Sequence, residues 1–358
     1  MSTAPRRRPG WQSAILQDLV FFQRGYDITK AEQKPGNIPV VSSSGVNSYH
    51  SEAKVDGPGV VIGRKGSLGT VHYVDGPYWP HDTTLWSRDF KGNLPRFVFY
   101  FLQTLGLERY DVGNSNPTLN RNHIHRLDIL LPEYQIQERI VEVLSAYDDL
   151  IENNRRRIQL LEEAARLLYR EWFVNLRFPG HEHVAIKDGV PEGWERKTLG
   201  DVAPLSYGKA LKQDDRVSGP FPVYGSSGIV GTHVKALVPG PTIIVGRKGN
   251  VGSVYWSSED CHPIDTVYYI DSSRCSFHLY YALQHMSFIN TDVAVPGLNR
   301  NFAHSRSILI PEQKIYRLFE DTVAPMHLQI DLLCKENVAL AQARDLLLPR
   351  LMNGEIAV

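Results

Sequence analysis

The sequence predicts an α+β protein: two strand-rich globules in tandem repeat, separated by two long helices that form an antiparallel coiled coil. Three observations lead to this prediction. Residues 57–73 recur at residues 240–256, and both segments contain the motif Gly-Arg-Lys-Gly-x-x-Gly. In each copy, short β-branched and aromatic runs alternate with glycine and proline, which is typical of strands and tight turns. Each copy then closes with a long segment whose apolar residues recur every three or four positions, the period of an amphipathic helix.

Length and composition set the class of protein before any motif is considered. The chain has 358 residues, 42% of them apolar and 22% charged, which is ordinary for a folded protein of two or three domains. No apolar run in the sequence reaches the roughly 18 residues that a membrane helix needs. With 39 basic and 39 acidic residues the formal net charge is zero. Any contact with nucleic acid must therefore come from local clusters of cations rather than from a global positive field.

The repeat extends well beyond the first matched segment. The shared motifs are, in chain order, Ser-Ser-Gly at residues 43–45 and 226–228, Asp-Thr at residues 82–83 and 265–266, and Leu-Asn-Arg-Asn at residues 119–122 and 298–301. The copies are far longer than the repeats of solenoid proteins, so each copy is the size of a domain. A short segment with Pro-Gly turn signals, residues 175–192, links the two copies.

The repeated Gly-Arg-Lys-Gly-x-x-Gly motif carries the sharpest local signal. It places Arg64 and Lys65, and again Arg247 and Lys248, between glycines that allow a tight turn and close approach of the backbone to another molecule. Adjacent cations at such a turn can donate hydrogen bonds to phosphates or to O6 and N7 of guanine. The flanking runs are strand-like, which predicts a hairpin. Two interpretations stay open, a nucleic-acid contact and a structural turn whose charges are solvated.

This motif differs from the loops of known nucleotide-binding and catalytic sites. It lacks the Gly-Lys-Ser/Thr sequence that ends a Walker loop, and its glycines do not have the Gly-x-Gly-x-x-Gly spacing of a dinucleotide-binding fold. The GxxG loop of a KH domain is similar, but that loop joins two helices. The sequence also contains no metalloprotease, serine-hydrolase or S-adenosylmethionine motif, so we expect no enzyme. The pairs His123/His125 and His181/His183 have no zinc-spaced partners, and we expect surface histidines and no metal.

Two long helices are predicted from their composition and spacing. From Ile136 to Trp172 the sequence contains neither glycine nor proline. Pro-Glu precedes each helical segment, at residues 132–133 and 311–312, and suits the positive end of a helix. Apolar residues then form a seam with the heptad spacing of a coiled coil. Pro325 is expected to break or kink the second helix near its start.

The two seams match each other, which indicates that the helices are partners. An asparagine stands at the same repeat position in both seams. Two equal seams in one chain can bury each other, whereas the alternative is that each helix lies on its own globule. The residues expected to pair the helices are Asn154, Leu161, Leu168, Asn337, Leu340 and Leu347.

The order of these motifs resembles that of the specificity subunit of Type I restriction–modification systems, over nearly the whole chain. The strand-rich globule with its motifs, the long helix and the single duplication all correspond. The resemblance implies two target-recognition domains, each reading one half of a bipartite, asymmetric double-stranded DNA target. It also implies that the spacer helices bind two methyltransferase (modification) subunits and that restriction/translocase subunits complete the enzyme. S-adenosylmethionine and ATP would bind those partners, and this chain would bind no cofactor.

The same resemblance assigns roles to segments and side chains. Residues 1–131 and 193–310 would be the target-recognition domains, residues 132–174 and 311–354 the spacer helices, and residues 175–192 the linker. His81 is expected to be a contact or packing residue, because the second copy lacks it. Asparagine can pair with adenine, although capping explains its place before a helix equally well. The residues expected to contact DNA are Ser43, Ser44, Arg64, Lys65, Ser67, His81, Thr83, Asn120, Arg121, Ser226, Ser227, Arg247, Lys248, Asn250, Thr266, Asn299 and Arg300.

Two other classes of protein remain as alternatives. A self-contained methyltransferase would need catalytic motifs that the sequence lacks. An RNA-binding or scaffold protein built on a GxxG-loop repeat needs only the loops and the helices. Three cysteines without a CxxC pair, and a start without an apolar stretch, predict a cytoplasmic protein with neither a disulfide framework nor a membrane partner.

Overall fold

The chain divides into two compact units, each built around its own hydrophobic core. The computed structural model describes residues 9–110, 117–288 and 297–358. The first unit comprises Met1–Asn153 together with Asn337–Val358, and the second comprises Asn154–Glu336. Because each boundary falls inside a long helix, each unit contains a part of both long helices.

The first unit alternates short strands with short helices before the first long helix. Its strands are β1 Trp11–Ile15, β2 Phe21–Arg24, β3 Ile38–Ser42, β4 Gly45–His50, β5 Gly59–Gly63, β6 Val71–Val74, β7 Trp79–Pro80, β8 Thr84–Asp89 and β9 Asp128–Pro132. Its helices are α1 Leu16–Leu19, α2 Pro95–Gln103, α3 Arg121–Ile124 and the long α4, Tyr134–Tyr169. The strands therefore carry the turn-rich first part of the repeat, as its composition predicts.

Two small sheets form the strand-rich part of this unit, and β5 is an inner strand of the larger sheet. An antiparallel sheet has the order β2-β8-β5-β6, and a second sheet has the order β4-β3-β7, with β3 and β7 parallel. Ile62 of β5 packs with Phe97 of α2, whereas Val61 packs with Val41 of the second sheet. Because side chains alternate along a strand, β5 is buried on both faces. Burying each such side chain stabilises the unit by about 1.5–3 kcal/mol.

The second unit repeats the arrangement of the first. Its strands are β10 Ile186–Lys187, β11 Val190–Pro191, β12 Glu195–Thr198, β13 Ser206–Tyr207, β14 Phe221–Gly225, β15 Gly228–His233, β16 Thr242–Gly246, β17 Val254–Ser257, β18 His262–Pro263, β19 Val267–Ile270 and β20 Ser307–Ile310. Its helices are α5 Leu199–Val202, α6 Phe277–His285, α7 Arg300–His304 and the long α8, Gln313–Met352.

The sheets of the second unit correspond to those of the first strand by strand. The antiparallel sheet has the order β13-β19-β16-β17, and the smaller sheet has the order β15-β14-β18. Ile243 and Val245 of β16 join the core beneath α6, while Ile244 faces Tyr224 of the smaller sheet. The duplication seen in the sequence is therefore a duplication of the fold.

The two long helices pair within each unit, and in opposite directions. In the first unit, Ile140 and Leu144 near the start of α4 share a core with Leu348 and Leu351 near the end of α8. In the second unit, Phe173, which follows α4, packs edge-to-face on Phe319 near the start of α8, with ring centroids 4.9 Å apart. Since the start of one helix meets the end of the other in both cases, the pair is antiparallel, as predicted.

The bounds of the helices correct one expectation from the sequence. Helix α8 continues through Pro325, so the expected break is wrong. Pro325 is exposed, while Val323 and Ile330 on either side of it are buried. Packing on both sides therefore holds the helix together where the proline removes one backbone hydrogen bond. At the other long helix, residues Arg170–Val174 continue the end of α4 as a π-helical turn.

The seam residues are buried to different degrees. Asn154 is 4% exposed, and its amide nitrogen has no hydrogen-bond partner among the described residues. The amide oxygen of Asn337 is likewise buried and unmatched there. Leu168 packs against the core of the second unit and Leu347 against that of the first. Leu161 and Leu340 are half-buried.

In the described part of the chain, none of the helices combines the length and the apolar character needed to cross a membrane.

Candidate nucleic-acid interface

The first cationic loop, residues 64–70, joins β5 to β6 in a hairpin. The amide of Gly63 donates to the carbonyl of Thr70 at 2.8 Å, and the amide of Gly69 donates back to Gly63 at 2.9 Å. Gly66 and Gly69 have φ angles of 78° and 72°, in the left-handed region that glycine adopts without strain. The glycines of the motif are therefore needed for the turn itself. A hairpin between strands, as predicted, also differs from the helix-joining loop of a KH domain.

Backbone hydrogen bonds bring the other repeated motifs to this loop. The amides of Arg64 and Lys65 both donate to the carbonyl of Thr83, at 2.8 and 3.1 Å. The amide of Leu119 donates to the carbonyl of Arg64 at 3.0 Å. The hydroxyl of Thr70 donates to the carbonyl of Ser43 at 2.5 Å. The Ser-Ser-Gly, Asp-Thr and Leu-Asn-Arg-Asn motifs thus meet around one cationic turn.

The second cationic loop, residues 247–253, has the same framework. The amides of Arg247 and Lys248 donate to the carbonyl of Thr266 at 2.9 and 3.1 Å. The amide of Leu298 donates to Arg247 at 2.8 Å, and the hydroxyl of Ser253 donates to the carbonyl of Ser226 at 2.7 Å. Each motif that the sequence pairs along the chain therefore occupies an equivalent place in its own unit.

The predicted contact residues divide into those that are exposed and those that build the turn. The exposed ones are Ser44, Lys65, Ser67, Asn120, Ser227, Lys248, Asn250, Asn299 and Arg300. Arg64, His81, Thr83, Arg121, Ser226, Arg247 and Thr266 are half-buried. Ser43 is buried and holds the loop through its backbone carbonyl. The exposed set can meet a ligand directly, whereas Ser43 acts by fixing the turn.

Asn120 and Asn299 cap the short helices that follow them. The side-chain oxygen of Asn120 accepts from the amide of Asn122 at 2.9 Å. That of Asn299 accepts from the amides of Asn301 and Phe302 at 2.9 and 3.2 Å. In both asparagines the side-chain oxygen therefore caps the helix, which was one of the two explanations that the sequence allowed. The side-chain amide nitrogen is the group that can donate to a ligand. Asn116 and Pro296, which precede these motifs, lie outside the described residues.

The two interfaces differ at a cross-strand pair that the sequence analysis did not single out. In the first unit Arg24 of β2 pairs with Leu85 of β8, and in the second unit Tyr207 of β13 pairs with Tyr268 of β19. The guanidinium of Arg247 lies over both tyrosine rings, 5.0 and 5.8 Å from their centroids. Alignment of the two copies would have revealed this exchange of an arginine for a tyrosine beside a shared glycine.

Three positively charged side chains lie beside the first loop. Arg24, Arg64 and Arg121 line one surface pocket of about 250 Å³. Arg24 makes an ion pair with Asp82, with 2.9 Å between Nη2 and Oδ2. Burial lowers the pKa of Arg64 and the positive charge of Arg24 lowers it further, while Asp82 raises it. Arg64 nevertheless stays charged at neutral pH, because a guanidinium group is not deprotonated in proteins.

Asp27, His81 and Asp82 form a group whose ligand atoms lie within 4.8 Å of one another. Such a set of one nitrogen and two carboxylate oxygens is compatible with a transition metal. Here one carboxylate oxygen already pairs with Arg24, and Nδ1 of His81 lies 3.1 Å from the hydroxyl of Thr83. His81 and Asp82 are therefore already engaged with neighbouring side chains, and the role of His81 stays a prediction.

One expectation about histidines is wrong. His125 is 4% exposed, not on the surface, and its Nε2 accepts from the amide of Phe22 at 3.0 Å. The matched His304 accepts from the amide of Leu205 at 2.9 Å. Burial lowers the pKa of both histidines, which favours the neutral, accepting form. Each histidine thus ties the end of α3 or α7 to an early segment of its unit.

Comparison with protein families matches both copies of the repeat. The family model of the Type I restriction modification DNA specificity domain matches residues 9–163 and again residues 191–322. The chain is similar to the Type I restriction enzyme MjaIX specificity subunit of Methanocaldococcus jannaschii, with 25% identity over 311 residues that cover 75% of this chain and 70% of that protein. It is 23% identical over 357 residues to the HindI specificity subunit of Haemophilus influenzae, covering 74% of this chain and 78% of that protein.

A solved structure has the same fold. The Type I restriction–modification S subunit from M. genitalium superimposes with a TM-score of 0.63 and 18% identity, over 98% of each chain. The duplication, the paired helices and a family match that covers most of the sequence agree with one another. This chain belongs to the family of Type I restriction–modification DNA specificity subunits.

Proposed function

We propose that this chain is the non-catalytic subunit that reads a bipartite, asymmetric double-stranded DNA target for a Type I restriction–modification enzyme. Each unit would contact one half of the target through its cationic loop and the exposed side chains around it. The long helices would bind two methyltransferase subunits, and restriction/translocase subunits would join them. S-adenosylmethionine and ATP would be bound by those partners.

The observation that carries this proposal is the equal framework of the two loops. Both loops are fixed by the same backbone hydrogen bonds, to Thr83 in one unit and to Thr266 in the other. A rigid turn with two cations suits recognition, because a side chain must be held in place to discriminate between bases. A structural turn alone would not need an exposed lysine at both equivalent positions, Lys65 and Lys248.

The asymmetry of the target follows from the surroundings of the loops. Arg24 in the first unit and Tyr207 in the second give the two loops different chemistry on the same backbone. An arginine offers hydrogen-bond donors and charge, whereas a tyrosine offers an aromatic face for stacking. The loops also differ in an exposed side chain at one equivalent position, Ser67 in the first and Asn250 in the second, so the two half-sites would differ and the target would not be a palindrome.

The test of this function combines methylation mapping with loop variants. DNA exposed to the chain and its methyltransferase partner should be methylated at one split, asymmetric sequence. Replacing Arg64 and Lys65 by alanine, or Arg247 and Lys248, should weaken target binding by roughly 1–3 kcal/mol per lost bidentate base contact. Lys34→Ala, an exposed cation paired with another surface residue, is the matched control and should leave binding unchanged.

Three results would contradict the proposal. Normal binding by both double variants across a salt titration would remove the loops from the interface. Tighter binding of single-stranded RNA than of duplex DNA would favour an RNA-binding protein built on the same repeat. Methyl transfer by the chain without any partner would show that the non-catalytic assignment is wrong.

A further inference from the structure

The pocket beside the first loop concentrates hydrogen-bond donors of positive charge. Its lining includes the guanidinium groups of Arg24, Arg64 and Arg121 and the side chains of Asn120 and Asn122. All of these belong to the first unit. With about 250 Å³ of space, the pocket is large enough for one tetrahedral oxyanion and too small for a nucleotide.

One of these donors is buried without a partner. Nη1 of Arg64 is shielded from solvent and makes no hydrogen bond among the described residues. A buried, charged donor in this state loses the interaction with water without replacing it, so it stabilises any acceptor that reaches it. The carbonyl of Arg64 accepts from Leu119, which fixes the backbone from which this side chain extends.

The other cations are positioned by contacts that leave donors available. Arg24 uses Nη2 for its pair with Asp82, and Arg121 lies over the ring of Phe21, 5.8 Å from its centroid. The oxygen of Asn120 is engaged in capping, so its amide nitrogen is the group that can donate. The repulsion between Arg24 and Arg64, which lowers the pKa of Arg64, would be relieved by an anion between them.

The second unit lacks this arrangement at the equivalent place. Tyr207 stands where the first unit has Arg24, and Arg247 and Arg300 both lie over its ring, at 5.0 and 5.1 Å. There both guanidinium groups lie on the aromatic ring, and in the described part of the unit no third guanidinium joins them. The two units thus have the same fold but differ at this position, where one has arginine and the other tyrosine, so the second unit serves as a comparison for the first.

We propose that the pocket formed by Arg24, Arg64 and Arg121 binds a phosphate group, and that Arg24 makes this a property of the first unit alone. The source of the phosphate that we infer is the backbone of the bound DNA, so this part rests on the proposed function. Bidentate arginine contacts recognise phosphate geometry. The pocket would position the first unit on the duplex without reading its sequence.

Salt dependence of DNA binding by the full chain tests the source. Fluorescence anisotropy with two unrelated duplexes, across a range of NaCl concentrations, gives the slope of log K against log salt. Arg24→Gln should reduce the magnitude of that slope by about 0.9, the contribution of one phosphate contact, and equally for both duplexes. Arg24→Lys should keep the slope. Lys34→Gln, which removes an exposed cation of the same unit that does not line the pocket, is the matched control and should leave the slope as it is.

Inorganic phosphate tests the pocket without DNA. At constant ionic strength, phosphate should raise the Tm of the wild type in a concentration-dependent way, and Arg24→Gln should abolish the rise. A phosphate-dependent rise with an unchanged DNA slope would overturn the backbone as the source and leave a free phosphate as the ligand. No rise and no change of slope would overturn the pocket altogether.

Two further outcomes separate this inference from the proposed function. If Arg24→Gln keeps the slope but changes which duplex is preferred, Arg24 reads bases and the phosphate assignment is wrong. If the wild type binds no duplex at any salt concentration, the proposed function fails, while the Tm measurement still decides whether the pocket binds phosphate. Circular dichroism of Arg24→Gln should match the wild type, because the Arg24 side chain is 55% exposed.

Discussion

Replacing Arg344 by methionine should destabilise the first unit, because this arginine links the two long helices. Its Nη1 lies 2.5 Å from Oδ1 of Asp148 on α4, and the side chains are 28% and 24% exposed. The other oxygen of Asp148 accepts from the hydroxyl of Tyr100 on α2. Burial, together with Asp148, raises the pKa of Tyr100, so the hydroxyl keeps its proton and donates. Removing Arg344 leaves a largely buried carboxylate with one neutral partner.

The magnitude follows from the exposure of this pair. Exposed ion pairs contribute about 0–1 kcal/mol, whereas removing one partner of a buried pair costs about 3–5 kcal/mol. A pair that is about three-quarters buried should fall between these limits, so we expect Arg344→Met to cost about 2 kcal/mol in the free energy of unfolding. In a double-mutant cycle with Asp148→Asn, the coupling should be about 1–2 kcal/mol.

Urea unfolding of the full chain measures both quantities. The control is Arg350→Met, which removes the pair between Arg350 and Glu355, where the side chains are 54% and 52% exposed. This variant should cost less than about 1 kcal/mol. If Arg344→Met costs no more than the control, or if the cycle shows no coupling, the contact between the helices adds nothing to the stability of this unit.

Three further predictions address the second unit and the loops. Burial lowers the pKa of His278 and His327 to about 4, below the roughly 6.5 of an unfolded histidine. Because the unfolded chain then binds more protons, the free energy of unfolding should fall as the pH is lowered from about 6.5 to 4, by up to roughly 3 kcal/mol per histidine. Urea unfolding at several pH values measures this dependence, and His327→Phe should make it weaker. Gly63→Ala should distort the first loop and abolish DNA binding in a filter assay, because a Cβ at this position would lie 1.9 Å from the carbonyl oxygen of Ser67. The control is Gly76→Ala, whose Cβ would meet no atom within 4 Å, and this variant should bind DNA as the wild type does. A fragment of residues 175–358 should sediment as a two-fold dimer and direct methylation of a palindromic site, and a folded monomer at micromolar concentration would contradict the pairing of helix seams.

The structure adds a reason for that dimer. The fragment lacks Ala165, Tyr169 and Phe173, which contribute to the core of the second unit. The matched positions on the second copy of the repeat are Leu348, Met352 and Ile356, also apolar. A second copy of the fragment could therefore supply the missing side chains through the end of its own α8. Substituting Leu348 by a charged residue should prevent the dimer while leaving the strands intact.

Much of this fold is determined by patterns that are local in the sequence. The glycines of the cationic motif need left-handed φ angles at Gly66 and Gly249, so the hairpins follow from the motif itself. The stretch from Ile136 to Trp172 carries no helix breaker and keeps one apolar face, which is enough to predict α4. The duplication predicts a second unit of the same topology, because equal patterns of apolar residues bury equal faces.

What the sequence alone could not determine are contacts between side chains from distant segments. The pair of Arg344 and Asp148 joins residues far apart in the chain, and heptad spacing does not show that these two side chains are partners. The burial of His125 depends on β2, which supplies the amide of Phe22. The phosphate pocket requires Arg24 to lie near Arg64, which the sheet order achieves by placing β8 between β2 and β5. Periodicity reports which face of an element is buried, whereas only the tertiary structure decides which side chain lies opposite and what charge it carries.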